Sequence, residues 1–372
     1  MALVLSEEQQ LLKESAAGFL AEKAPVSQLR QLRDDGDERG YKPELWQEMV
    51  DMGFAGLLVS EDHGGTGFGY VGAGIVMEEM GRRLSASPFF ATGVVGAALL
   101  RESGDAAAQA DLLPKLASGE VTMTLALDET PHFAPDKTAM SVAGGTLKGL
   151  KTFVPDACTA DLIVVAARES GAPGDAGGLT LYLVDGGADH LIRDRVVSVD
   201  SRHWGKLTFE GVAPRGTLGA PGKGHAVLSA ALDRVNMVLA AELVGVSLEA
   251  MDQTLTYLKE RKQFDTTIGA FQALQHRVAH LFSEVEGARS AVLKGLQMAD
   301  QGGDVGWFAS LAKAKACKAA VLATNEAIQM HGGIGMTDEY DIGFYLKRAR
   351  VIQQLYGDYG YHADRFAALS GY

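Results

Sequence analysis

Two short stretches of this 372-residue chain carry residue types that suit a phosphorylated ligand. In "ERKQFD", Arg261 and Phe264 stand three apart, a spacing that predicts one shared helix face. A guanidinium grips a pyrophosphate well, and a phenyl ring can stack on a flat ring. A surface arginine above a core phenylalanine gives the same spacing. In "QMHGGIG", Gln329 to Gly335, glycines follow a helical segment. Their turn exposes backbone amides able to hold a phosphate or a sugar, and it equally suits a helix C-cap followed by a tight turn. The sequence shows no Ser/His/Asp arrangement, no metal-ligand spacing and no Walker loop. "GGTGFG" lies among helical segments, without the strand–turn–helix setting of a dinucleotide site.

The elements that must position these stretches form three blocks, in an α+β, mainly helical chain. Residues 1–120 read as an N-terminal helix bundle, opened by "SEEQQLLKESAAGFLAEKA" with Ser6 as N-cap. Residues 121–222 read as a middle β-barrel or sandwich domain, from short β-rich runs such as "DLIVVAA" and "LTLYLV" around Gly-rich turns. Residues 223–372 read as a C-terminal helical bundle. There the proline-free run from Ala226 to Phe264 predicts one very long helix, and two further long helices follow it.

Composition narrows the function. Hydrophobic content of 47% and charged content of 22% are those of a globular protein. A net charge of −13 argues against a nucleic-acid partner. No apolar run approaches the ~20 residues of a membrane span. The start lacks a signal peptide's basic region and long apolar core. Two widely separated cysteines, Cys158 and Cys317, suit a reducing compartment, so the expected location is cytoplasmic.

Arg261-x-x-Phe264 with Gln272, followed by Gln329-x-x-Gly332-Gly333-x-Gly335, resembles the C-terminal domain of the acyl-CoA dehydrogenase family. "SEDHGGTGFGYVGAGIVMEEMGR" resembles its N-terminal loop and helix, and "GTLKGLKTFVPDACTADLIVVAAR" its β-domain hairpin. The likeness covers nearly the whole chain and makes the C-terminal block a four-helix bundle. It implies an FAD enzyme that oxidises an acyl-CoA thioester across Cα and Cβ. A carboxylate takes the α-proton, the flavin accepts the β-hydride, and an electron-transferring flavoprotein is the usual acceptor. It also implies an FAD site shared between subunits. Arg261, Phe264, Gln272, Gln329, Gly332 and Gly333 would serve the neighbour's pyrophosphate and adenosine. Asp128 and Phe153 would lie on the chain's own flavin side.

The chain departs from the family on that flavin side. The Thr-Glu-Pro…Gly-Ser-Asp loop is replaced by "DETPHFAPDKT", and Trp-Ile-Thr by Phe153-Val154-Pro155; proline offers neither hydroxyl nor amide proton. Tyr356-Gly357 falls where the catalytic Glu-Gly belongs, and the alternative base position is Val235. A phenol with a pKa near 10 is a poor base at neutral pH. Carboxylates that could substitute are Glu242, two helical turns beyond Val235, Asp358 and Asp233. Their structural alternatives are a buried salt bridge, a turn and a helix start respectively. "HGGIGMTDEYDIGFYLKRA" with "YGD" resembles the small subunit of heteromeric members such as those acting on pimeloyl-CoA. The expectation is therefore a base-lacking, FAD-completing subunit of a tetramer, built with a homologous chain and acting in fatty-acid or steroid side-chain oxidation. The alternative is a homo-oligomeric dehydrogenase with a relocated carboxylate.

Overall fold

The structure is a computed structural model in which residues 3–372 are described. Helices come first: α1 (Glu7–Lys23), α2 (Val26–Asp34), α3 (Pro43–Asp51), α4 (Gly69–Arg83), α5 (Ala97–Glu102) and α6 (Ala106–Ala117). Strands follow: β1 (Met123–Ala126), β2 (Ser141–Ala143), β3 (Thr146–Pro155), β4 (Leu162–Arg168), β5 (Leu179–Asp185), β6 (Leu191–Val197), β7 (His203–Val212) and β8 (Gly216–Leu218). The chain ends with α7 (Gly224–Glu260), a two-stranded hairpin of β9 (Lys262–Gln263) and β10 (Thr266–Thr267), α8 (Gln272–Gln301), α9 (Gly306–His331), α10 (Ile342–Ile352) and α11 (Tyr359–Leu369). Among the described residues, no helix is long and apolar enough to cross a membrane.

Local chemistry sets several of these limits. Ser6 and Gln9 form a reciprocal capping box at the start of α1, satisfying two amides that the first turn cannot. Pro43 opens α3, where its missing N–H costs nothing. The long helix α7 spans 37 residues, roughly 55 Å at 1.5 Å per residue. It stops at Glu260 and does not reach Phe264 as the proline-free pattern predicts. Phe264 and Asp265 adopt φ of +55° and +61°, which turns the chain into the β9–β10 hairpin. Arg261 and Phe264 therefore do not share a helix face.

The chain forms two compact units, one of residues up to Gln31, Gly74–Ser85 and Asn236–Tyr372, the other of Leu32–Ala73 and Ala86–Val235. In the first, α4 and α7 approach backbone to backbone. A Cβ on Gly81 would lie 2.3 Å from the Glu242 carbonyl oxygen, and one on Gly245 would lie 1.9 Å from that of Glu78, so only glycine fits. The second unit contains the sheet, in strand order β6-β7-β3-β2-β4-β5-β8, with β1 parallel to β4. Leu147 and Val154 of β3, Ile163 and Val165 of β4, Tyr182 of β5, and Leu207 and Phe209 of β7 share one core. The π-helical turn Phe90–Gly96 is wholly buried, and nothing in the sequence pattern singled it out.

Candidate active site

Tyr356 lies between α10 and α11 in the first unit, 2% exposed and with φ of +54°. A bulky residue in the left-handed region is strained and persists only where its surroundings hold it. Here three buried side chains do so. Lys313, on α9, donates to the Leu355 carbonyl at 2.6 Å, the Gly357 carbonyl at 3.1 Å and Asn236 Oδ1 at 3.2 Å. Asn236 Nδ2 donates in turn to the Tyr356 carbonyl at 3.2 Å, and His362 Nε2 reaches the same oxygen at 3.1 Å. Because a carbonyl only accepts, Nε2 carries the His362 proton. Burial pushes the Lys313 pKa down to about 8 and that of His362 down to about 3. Gly357 is obligatory: its φ is +103°, and a Cβ would lie 2.6 Å from the Tyr361 ring.

Glu242 and Asp358 are each bonded through one oxygen, and Glu242 Oε2 is buried without a hydrogen-bond partner among the described residues. Glu242, 2% exposed on α7, accepts at Oε1 from Arg348 Nε and Nη2, both at 2.8 Å. That arrangement is the buried salt bridge set beside the catalytic reading above. Asp358 is exposed and caps α11, its Oδ1 accepting from the Tyr361 amide at 2.9 Å. Asp233 is buried in the second unit and is itself partnered. Asn236, Lys313 and His362 went unnoticed in the sequence. A lysine inside the alanine-rich run "SLAKAKACKAA" was the available signal, since a fully buried ammonium needs a dedicated set of acceptors.

The ends of α7 and α9 meet in the first unit. Tyr257, one helical turn before Arg261, stacks on His331 with ring centroids 4.5 Å apart, and Tyr340 flanks His331 at 4.8 Å. His331 immediately precedes Gly332. Arg261, Gln272, Gln329, Gly332 and Gly333 are all exposed, and Phe264 is 85% exposed. Gly332 has φ of +64°, which favours glycine. Gly333 has no such need, and a Cβ there would meet nothing within 4 Å. The chain's own packing therefore does not require glycine at 333.

In the second unit, Phe153 is half-exposed at φ of +54°, on a register irregularity of β3, with its ring 6.0 Å from that of Trp204. Asp128 is partly buried, and desolvation pushes its carboxyl up to about 6 against the opposing pull of the Lys151 ammonium. Its carbonyl accepts from the Thr152 amide at 2.7 Å, tying the loop to β3 beside Phe153. The loop that lost its Gly-Ser-Asp is held by other means. Glu129 accepts from the Ala139 and Met140 amides and from buried Lys151 at 2.6 Å. Arg168 donates to the carbonyls of Asp136, Thr138, Asp175 and Gly177.

Residues 6–120 match the acyl-CoA dehydrogenase N-terminal domain, and residues 222–368 the C-terminal domain. The acyl-CoA dehydrogenase IpdE2 of Mycolicibacterium smegmatis is 30% identical over 354 residues, covering 95% of this chain and 96% of its own. The mitochondrial isovaleryl-CoA dehydrogenase of Solanum tuberosum is 30% identical over 388 residues, covering 95% of this chain and 88% of its own. Among solved structures, the Tcur3481-Tcur3483 steroid acyl-CoA dehydrogenase (G363A variant) superposes with a TM-score of 0.87 at 31% identity, covering 98% of each chain. The glutaryl-CoA dehydrogenase complex with glutaryl-CoA gives 0.90 at 26% identity, covering 100% of this chain and 96% of that one. This chain belongs to the acyl-CoA dehydrogenase family, whose members are FAD-dependent oxidoreductases. The residues present fit that cofactor: an exposed arginine, an exposed aromatic and an open diglycine turn are joined through the Tyr257–His331 stack. When bound, FAD would supply a hydride acceptor, and these residues are the ones that would hold it.

Proposed function

We propose that this chain is the base-lacking, FAD-completing subunit of a heteromeric acyl-CoA dehydrogenase. The observation that carries this reading is Tyr356. By resemblance it stands where family members carry Glu; it is buried, Glu242 is paired with Arg348, and Asp358 caps a helix. A free phenol titrates near pH 10 and is a poor base for an α-proton near neutrality. Arg261, Phe264, Gln272, Gln329, Gly332 and Gly333 face outward and would complete a neighbour's FAD site. Asp128 and Phe153, on the chain's own flavin side, stand in a loop and strand altered from the family pattern. A relative at 31% identity is a steroid enzyme named for two components, Tcur3481-Tcur3483, which suits such a division of labour.

The test is flavin content and turnover. Purified alone, the chain should hold little FAD and should not oxidise butyryl-CoA, isovaleryl-CoA or glutaryl-CoA. Co-expressed with a homologous chain carrying Glu-Gly at the position of Tyr356-Gly357, it should give a tetramer with one FAD per pair of chains. Arg261→Ala should lower FAD affinity about tenfold or more, by removing a charge-assisted bond of roughly 1.5–3 kcal/mol. One FAD per chain in the isolated protein, bleached by an acyl-CoA, would rule the reading out.

A further inference from the structure

The bonds around residues 355–357 fix backbone rather than side chain. Three successive carbonyls are each taken by a buried donor: Leu355 and Gly357 by Lys313, and Tyr356 by Asn236 and His362. All three ammonium protons of Lys313 are used, and none goes to a carboxylate. Asn236 links the two halves, accepting from Lys313 and donating to Tyr356. A fully buried ammonium is costly, and its depressed pKa reports that cost. A connection between two helices needs no such investment; Asp358 already caps α11, and α10 closes with its own backbone bonds. What the arrangement secures is the left-handed conformation at residue 356, and so the direction in which that side chain leaves the backbone.

We propose that Lys313, Asn236 and His362 are positioning residues that hold position 356 as a seat for a catalytic carboxylate, and that the seat is intact although Tyr356 now fills it. This rests on the reading of Tyr356 as the replacement for the family's base. It predicts that one substitution, Tyr356→Glu, restores α-proton abstraction. The carboxylate would take the proton from Cα, the C–H electron pair would move into the thioester C=O as an enolate, and the same acid would return a deuteron from D2O to Cα. The balance is C–H exchanged for C–D, with no oxidant required.

The experiment measures deuterium incorporation at C2 of butyryl-CoA, isovaleryl-CoA and glutaryl-CoA in D2O. It uses the chain as purified, and the complex if a partner chain co-purifies. Wild type should be silent, and Tyr356→Glu should exceed it by ~100-fold or more, the scale of a positioned base. Adding Lys313→Met should return exchange to the wild-type level. Adding the milder Asn236→Ala should lower it ~10-fold, the equivalent of one hydrogen bond. Backbone amide exchange at residues 355–358 should accelerate in both anchor variants while α9 remains protected, a readout that separates local release from misfolding. Exchange by the wild-type chain would overturn the base-lacking reading of the previous section. A folded Tyr356→Glu with no exchange on any of the three thioesters, or exchange indifferent to Lys313 and Asn236, would overturn the seat.

Discussion

Tyr356 and Phe264 are both large aromatics held at positive φ, +54° and +55°, yet the chain treats them in opposite ways. Tyr356 is 2% exposed, its carbonyl bonded by Asn236 and His362 and its neighbours' carbonyls by Lys313; Phe264 is 85% exposed, its ring meeting the edge of Phe271. Left-handed backbone costs roughly 1–2 kcal/mol at a non-glycine residue. At 356 the interior of the first unit offsets that cost. At 264 the β9–β10 pairing imposes the turn, and among the described residues no buried side chain is bonded to it. The comparison separates a position held from the interior from one held by a surface hairpin, with its ring left exposed.

The largest effect that sharpens the contrast is expected from the interior. Arg348→Met leaves Glu242 buried without its counter-charge, and breaking one partner of a buried pair costs about 3–5 kcal/mol. Glu242→Leu combined with Arg348→Met should recover most of that loss, because the pair then leaves together. Urea unfolding of the two variants checks this. If the single variant were no less stable than wild type, the bridge would not be the role of Glu242, and the carboxylate would again be a candidate base.

A pH effect of intermediate size comes from His362. Its folded pKa is pushed down to about 3, against an ordinary value near 6.5. Between those values the unfolded chain binds a proton that the folded chain does not. The stability present above about pH 6.5 is therefore lost as pH falls toward 3, at up to about 1.4 kcal/mol per pH unit. His362→Gln cannot take up that proton and should flatten the difference between unfolding midpoints at pH 7 and pH 5. An unchanged slope in the variant would place the acid sensitivity elsewhere.

How much of this was legible in the sequence depends on the range of each interaction. Helix starts and periodicities are local, so Ser6 was identifiable as a cap, and the two long helices after α7 were identifiable and are α8 and α9. The end of α7 was not, because Phe264-Asp265 is an unusual pair for a turn that demands two positive φ values; Asn-Gly would have announced it. That tyrosine, not glutamate, stands at 356 was notable by resemblance alone. Its anchors were not, since Asn236, Lys313 and His362 lie up to 126 positions apart and meet only through the packing of α7, α9 and α11. The roles of Glu242 and Asp358 stayed open in sequence for a similar reason. A carboxylate that pairs with Arg348, 106 positions away, cannot be told by pattern from one aimed at a substrate.

The smallest expected effect on stability tests the other side of the comparison. Replacing Phe264-Asp265 with Asn-Gly, as Phe264→Asn with Asp265→Gly, gives the hairpin the residues that its backbone prefers. Because Phe264 is exposed and its left-handed φ is strained, the double variant should be more stable by about 0.5–1 kcal/mol. The same change removes the ring that the hairpin presents, so the assembled flavoprotein should bind FAD less tightly, by about tenfold, the cost of one aromatic contact. Thermal unfolding and flavin release measured on the same preparation decide the point. A gain in stability with a loss of cofactor would show a strained residue kept for an external contact. A loss of stability with unchanged FAD affinity would make Phe264 a structural residue like Tyr356, and the contrast between the two positions would fall.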